Sequence, residues 1–255
     1  MFFGHEDKVK AFKNLVDGGA LGHAYLFYGD AQIGKCNFAQ SLTYYLEYKK
    51  FEILEEPLID SIILGPNERG IISVDEARKI RNFLWQTPLK SSRRTVIVDQ
   101  AELLTDEAQS SMLKIVEEPP KHGLIIFIAY DHQVLFPPLL SRLAKIYFTR
   151  LSKERIKKIL IENFAVASEK AKSVALESFG RIGRALDLIE EKKTKKQEDS
   201  LEKNLEGAII DLRNENLKKN SSLLKWLLER ENFLKRYNLN NNIQKKVIDY
   251  KLQRK

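Results

Sequence analysis

One cysteine in 255 residues, Cys36, leaves no internal disulfide and no multi-cysteine zinc site to build a fold around. Long apolar runs are missing too: none approaches the roughly twenty residues that a bilayer-crossing helix needs. The opening segment MFFGHEDKVK sets no basic cluster ahead of an apolar stretch, so the pattern of a secretory signal is absent. Together these absences argue against a disulfide-stapled secreted domain and a membrane-spanning helical protein. The expected location is the cytoplasm, with no membrane partner.

What remains is the composition of a globular protein, 43% hydrophobic and 31% charged, long enough for one large domain and smaller ones beside it. A formal charge of +8 suits a polyanionic partner without naming one, and much of the excess is lysine in the C-terminal third.

The informative stretch is HAYLFYGDAQIGKC, His23 to Cys36. An apolar run through Tyr28 stops at Gly29, Gly34 and Lys35 follow, and Phe38, Ala39, Leu42 and Leu46 then recur at helical spacing. Strand, glycine loop and helix in that order are the context of a phosphate-binding loop, in which backbone N–H groups and a lysine surround phosphate oxygens. The motif G-x-x-x-x-G-K-[ST] is complete except at its last position. Cys36 stands where a hydroxyl would hold magnesium, so the cradle is expected and its metal hook is not.

Thr95-Val96-Ile97-Val98-Asp99 is a β-branched run ending in an acid, which places a carboxylate at a strand's C-terminal edge beside the phosphate loop. In a working P-loop ATPase that carboxylate orders magnesium and the next residue, a glutamate, acts on water. Here the next residue is Gln100, an amide that cannot accept a proton at neutral pH. Glu102 is nearby, but its offset of two is expected to point it elsewhere.

The remaining chain alternates helices and strands. Val9, Phe12, Leu15 and Val16 share one face of a helix entered after Gly4. A short strand is expected at Ile62-Ile63, and a helix from Ser73 as N-cap through Val74, Ala77, Ile80 and Leu84. Thr105 N-caps a further helix that Glu117-Glu118-Pro119-Pro120 stops. Leu124–Ala129 is too apolar a strand to leave a face in water, and Ala144–Phe148 reads as one more. This alternation predicts a parallel α/β sheet over residues 20–148. Beyond it Ser152 caps a helix carrying Ile156, Ile159 and Leu160, and a second helix turns Ala171, Val174, Ala175 and Phe179 toward a core.

The blocks HAYLFYGDAQIGK, ISVDEARKIRNFL, VIVDQAELLTDEAQSSMLKIVEEPP and LLSRLAKIYF, in this order, resemble the delta-prime subunits of the bacterial DNA polymerase III clamp loader, a family of the AAA+ superfamily. The resemblance covers residues 1–190. It implies a P-loop α/β domain over 1–149, a helical lid and linker over 150–195, and a shortened helical collar over 196–255 that joins the subunits. It implies a heteropentamer in which this chain is a stator beside gamma/tau motor subunits and the delta subunit, acting on a sliding clamp and primer–template DNA.

The family's S-R-C motif supplies an arginine finger to the neighbour's ATP. Ser141, Arg142 and Leu143 match it with the cysteine replaced. GRIGRAL resembles the lid segment, with Arg184 or Arg181 in reach of phosphates in active relatives. The nucleotide set carried over is Gly29, Gly34, Lys35, Cys36, Asp99 and Arg184, as a degenerate site that binds ATP or ADP without hydrolysis or not at all. The four-cysteine zinc module of many relatives is absent, and Ala129-Tyr130-Asp131 replaces their polar sensor. Two alternatives stand beside the stator: an ATP-hydrolysing motor subunit of the same machine, and a small-molecule P-loop kinase.

Overall fold

In a computed structural model, residues 3–190 and 225–227 are described. Five strands form one parallel sheet in the order β2-β3-β4-β1-β5. They are β1 (Ala24–Tyr28), β2 (Ser61–Leu64), β3 (Arg94–Val98), β4 (Gly123–Ala129) and β5 (Ala144–Tyr147). The helices between them are α1 (Glu6–Asp17), α2 (Lys35–Tyr48), α3 (Val74–Leu84), α4 (Asp106–Glu117) and the short α5 (Pro137–Leu140). After the sheet come α6 (Lys153–Phe164) and α7 (Ser168–Glu177), and a further helix begins at Ile182.

Every residue of β3 and β4 is buried, as the continuous apolar runs predict for strands covered on both faces. Alternate side chains feed two cores. Leu26, Val96, Val98, Ile125 and Phe127 pack with Ala77, Ile80 and Leu84 of α3 and Met112, Ile115 and Val116 of α4. Tyr25, Phe27, Ile97, Leu124, Ile126 and Ile128 pack with Phe12 of α1 and Phe38, Ala39, Leu42 and Leu46 of α2. The period of two in the strands thus fixes a three-layer α/β/α arrangement.

The caps are where their residue types put them. Ser73 accepts from Asp75 N while Glu76 reaches back to Ser73 N at 2.9 Å, a capping box. Thr105 Oγ1 accepts from Ala108 N at 3.2 Å, and Ser152 Oγ from Arg155 N at 3.1 Å. The connection into β2 is held by buried acids. Asp60, fully buried, accepts from the backbone N–H groups of Leu89, Lys90 and Ser91 and from Arg94 Nη1 at 2.6 Å. Glu47 accepts from Ile59 N and Asp60 N, both at 3.0 Å.

Chain contacts divide the protein into two units, Met1–Ala185 and Leu186–Lys255. In the first, α6 and α7 bury Ile156, Ile159, Leu160, Ala171, Val174 and Ala175 as expected. Phe179 is a correction: it lies beyond the end of α7 with φ +51° and is 58% exposed, because the helix stops at Glu177 and the chain reverses before Phe179 can join its inner face. The expected collar helices over 196–255 lie outside the described residues except for 225–227. Among the described residues no helix is long and apolar enough to cross a membrane.

Candidate functional site

The phosphate loop leaves the C-terminal end of β1 and enters α2. Gly29 takes φ +135°, and a Cβ there would stand 2.4 Å from the Phe148 carbonyl oxygen, so only glycine fits where the loop passes β5. Gly34 N-caps α2 at φ +96° and Gln32 sits at φ +61°. Arg150 Nε donates to Asp30 Oδ2 at 2.5 Å, and Gly183 N, from the start of the helix after α7, donates to Gln32 O at 2.8 Å. A Cβ on Gly183 would come within 3.0 Å of Gln32 Cβ, so the start of that helix lies directly against the loop.

Lys35 is 7% exposed, and its Nζ donates to the carbonyls of Gly29 and Asp30, both at 2.6 Å. The ammonium closes on its own loop. Burial pushes its pKa below the ordinary lysine value, against the opposing charges of Glu102, Asp99 and Asp30. Glu102 comes first among those carboxylates, which corrects the expectation that it points away. Gln100 adopts a left-handed conformation (φ +54°) and a 3-10 turn, Ala101–Leu103, follows, so the chain reverses and brings Glu102 back toward the loop. Glu102 Oε2 is buried and accepts no hydrogen bond.

Asp99 begins immediately after β3, its backbone N–H bonded to Leu64 O at 2.8 Å. Its carboxylate accepts from Gln100 N at 3.1 Å and acts electrostatically on Cys36. Burial first, and then the Asp99 carboxylate, push the Cys36 thiol up to about 11. At neutral pH Cys36 is therefore a protonated thiol, with Gln40 Nε2 3.6 Å from its sulfur. Magnesium takes hard oxygen donors in octahedral geometry, and a neutral thiol is neither hard nor a ready ligand. This donor pair does not fit magnesium. No cluster of three His, Cys, Asp or Glu side chains suited to a metal occurs among the described residues.

At the end of β4, Tyr130 is 57% exposed and Asp131 caps the next turn by accepting from Gln133 N at 2.9 Å. Neither forms a buried polar group beside the loop. Arg184 lies 5.4 Å from the ring centroid of Phe179. It is Arg181, whose Nε is buried, that acts electrostatically on Asp30 of the loop.

Arg142 lies elsewhere. It follows α5 and Ser141 and precedes β5, at the N-terminal edge of the sheet, while the phosphate loop lies at the C-terminal edge. Because β1 and β5 are parallel with Tyr25 beside Ala144, roughly a strand's length, about 15 Å, separates Arg142 from its own loop. Leu143, in the place of the family's cysteine, is 6% exposed and belongs to the core under α3 and α4. Sequence reasoning set Glu102 aside and gave Glu117 no role beyond the end of its helix; the Oε1 of Glu117 lies 2.5 Å from Arg142 Nη2.

A family model described as DNA polymerase III, delta subunit, matches residues 4–152. The DNA polymerase III subunit gamma/tau of Mycobacterium tuberculosis strain H37Rv is 29% identical over 157 residues, 54% of this chain and 26% of that protein. The DNA polymerase III subunit gamma of Buchnera aphidicola subsp. Acyrthosiphon pisum is 28% identical over 204 residues, 73% of this chain and 56% of its own length. The chain therefore spans between about a quarter and just over half of these relatives. Among solved structures, a DNA polymerase III gamma subunit-related protein from Thermotoga maritima aligns with a TM-score of 0.51 at 21% identity, over 88% of this chain and 77% of that one. The Thermotoga maritima RuvB Holliday junction branch migration motor aligns at 0.54 and 15% identity, over 73% and 60%. At these identities the likeness is one of fold.

Proposed function

Since this chain belongs to the DNA polymerase III delta-subunit family, we propose that it serves DNA replication as a non-motor, delta-prime-type subunit of a clamp loader. In this reading the P-loop domain spans 1–149, a lid and linker 150–195 and a collar 196–255. Its partners are gamma/tau motor subunits, the delta subunit, a sliding clamp and primer–template DNA, in a heteropentamer. Its own nucleotide site is degenerate, and Arg142 acts in trans on the neighbouring subunit's ATP.

The observation that carries the reading is the position of Arg142. An exposed arginine at the edge of the sheet opposite its own phosphate loop has no nucleotide of its own chain to serve. A guanidinium delivered across a subunit boundary stabilises the charge that builds on a transferring phosphoryl group. The loop supports the same conclusion. Lys35 is turned onto Gly29 and Asp30, the Cys36 thiol stays protonated, and Gln100 cannot act as a base.

The motor-subunit alternative has one observation in its favour, the carboxylate of Glu102 near Lys35. Phosphate release by the purified full chain with ATP and magnesium separates the two. The stator reading predicts release no faster than a Lys35→Ala control. Release that Lys35→Ala abolishes contradicts the stator and supports a motor. The same assay with added small-molecule acceptors covers the kinase alternative, which Cys36 disfavours.

A further inference from the structure

Arg142 is held, at three points, by its own subunit. Nη2 donates to Glu117 Oε1 at 2.5 Å, and Nη1 donates to the Pro138 carbonyl at 2.7 Å and to Ser141 Oγ at 3.3 Å. Glu117 is the last residue of α4. Pro119 and Pro120 prevent the helix from continuing, so the carboxylate stays at a helix C-terminus, where the helix dipole disfavours negative charge and a cation is the natural partner. The sheet brings the two together: α4 leads toward β4 and α5 toward β5, both strands flank β1, and both connections run along the same edge.

A guanidinium committed to a carboxylate cannot give the same N–H donors to a phosphate; it has to exchange one anion for the other. The exchange is open here. The side chains of Arg142 and Glu117 are 38% and 46% exposed, so the pair lies in water, where such pairs are weak and screened by salt.

We propose that Glu117 is a positioning residue that parks Arg142 on its own subunit, and that a nucleoside triphosphate on the adjacent subunit competes with the Glu117 carboxylate for the guanidinium. The inference rests on the reading of Arg142 as a trans-acting finger. The adjacent site then meets a competent finger only in the unparked fraction, and its apparent affinity is reduced by that fraction. The pair is a brake set in the subunit that has no turnover of its own.

The test is steady-state ATPase of the reconstituted clamp loader containing the full chain as wild type, Glu117→Gln, Glu117→Asp, Arg142→Ala or the Glu117→Gln, Arg142→Ala double variant. Glu117→Gln removes the charge and keeps the shape. The expected result is a KM for ATP lower by about two- to fivefold, the range an exposed ion pair spans, with kcat changed by less than about twofold. Glu117→Asp, which retains the charge on a shorter arm, gives an intermediate KM. In the Arg142→Ala background, Glu117→Gln has no further effect. An unchanged or raised KM for Glu117→Gln, together with a large loss in Arg142→Ala, overturns the parking role and leaves the finger standing. Wild-type turnover in Arg142→Ala overturns both.

Discussion

Cys36 shows how a single atom changes what a phosphate loop can do. A hydroxyl in its place would be a hard donor; the thiol, half-buried and under the influence of the Asp99 carboxylate, keeps its proton instead. The direction of the shift has a measurable consequence. With the thiol raised to about 11, its thiolate fraction at pH 8 is on the order of a hundredfold below that of an ordinary cysteine. Iodoacetamide should therefore label Cys36 in the native protein about a hundredfold more slowly than in denaturant, with the native rate rising about tenfold per pH unit toward pH 11. Labelling at the same rate in both states would mean that the thiol is neither buried nor paired. A raised pKa in the fold also means that the protonated thiol's contribution to stability is complete below the ordinary value and is lost as pH rises to about 11.

At the scale of elements, the chain is legible where local chemistry alone decides. β3 and β4 read as strands because a sheet covered on both faces needs uninterrupted apolar residues, and α3 begins at Ser73 because serine with Glu76 three residues on closes a capping box. Glu102 was illegible because the left-handed turn that redirects it falls on Gln100, a residue type with no marked preference for it. Phe179 failed for a related reason, since the helix that would have buried it stops two residues earlier. Glu117 and Arg142 are 25 positions apart and meet only through the sheet order, which no local pattern encodes.

Asp60 belongs to that second class. Set in a connection of mixed composition, it anchors three backbone N–H groups of residues 89–91 and the buried Arg94 guanidinium. Asp60→Ala should lower unfolding free energy by about 3–5 kcal/mol, because it leaves a buried cation and three donors uncompensated. Urea unfolding followed by circular dichroism reads the difference, and a change below about 1 kcal/mol would contradict the anchoring role. Burial raises the Asp60 pKa, but its four donors together hold it below the ordinary 3.8. The stability it provides is therefore present above that value and lost as pH falls below it, an acid arm that the variant should lack.

For the whole molecule, the two edges of one parallel sheet carry opposite assignments. The C-terminal edge holds a phosphate loop closed on its own lysine, and the N-terminal edge presents an arginine tethered to a glutamate. In the proposed reading, a subunit built this way contributes to hydrolysis only as a member of an assembly, so its central property is invisible in the isolated chain. The decisive measurement is ATP turnover by the clamp loader reconstituted with clamp and primed DNA, comparing wild type with Arg142→Ala at matched assembly. The account predicts that the variant assembles and loses at least about tenfold of the stimulated turnover, as removal of a trans-acting arginine does. Equal turnover in an equally assembled complex would contradict it and reduce Arg142 to a surface residue.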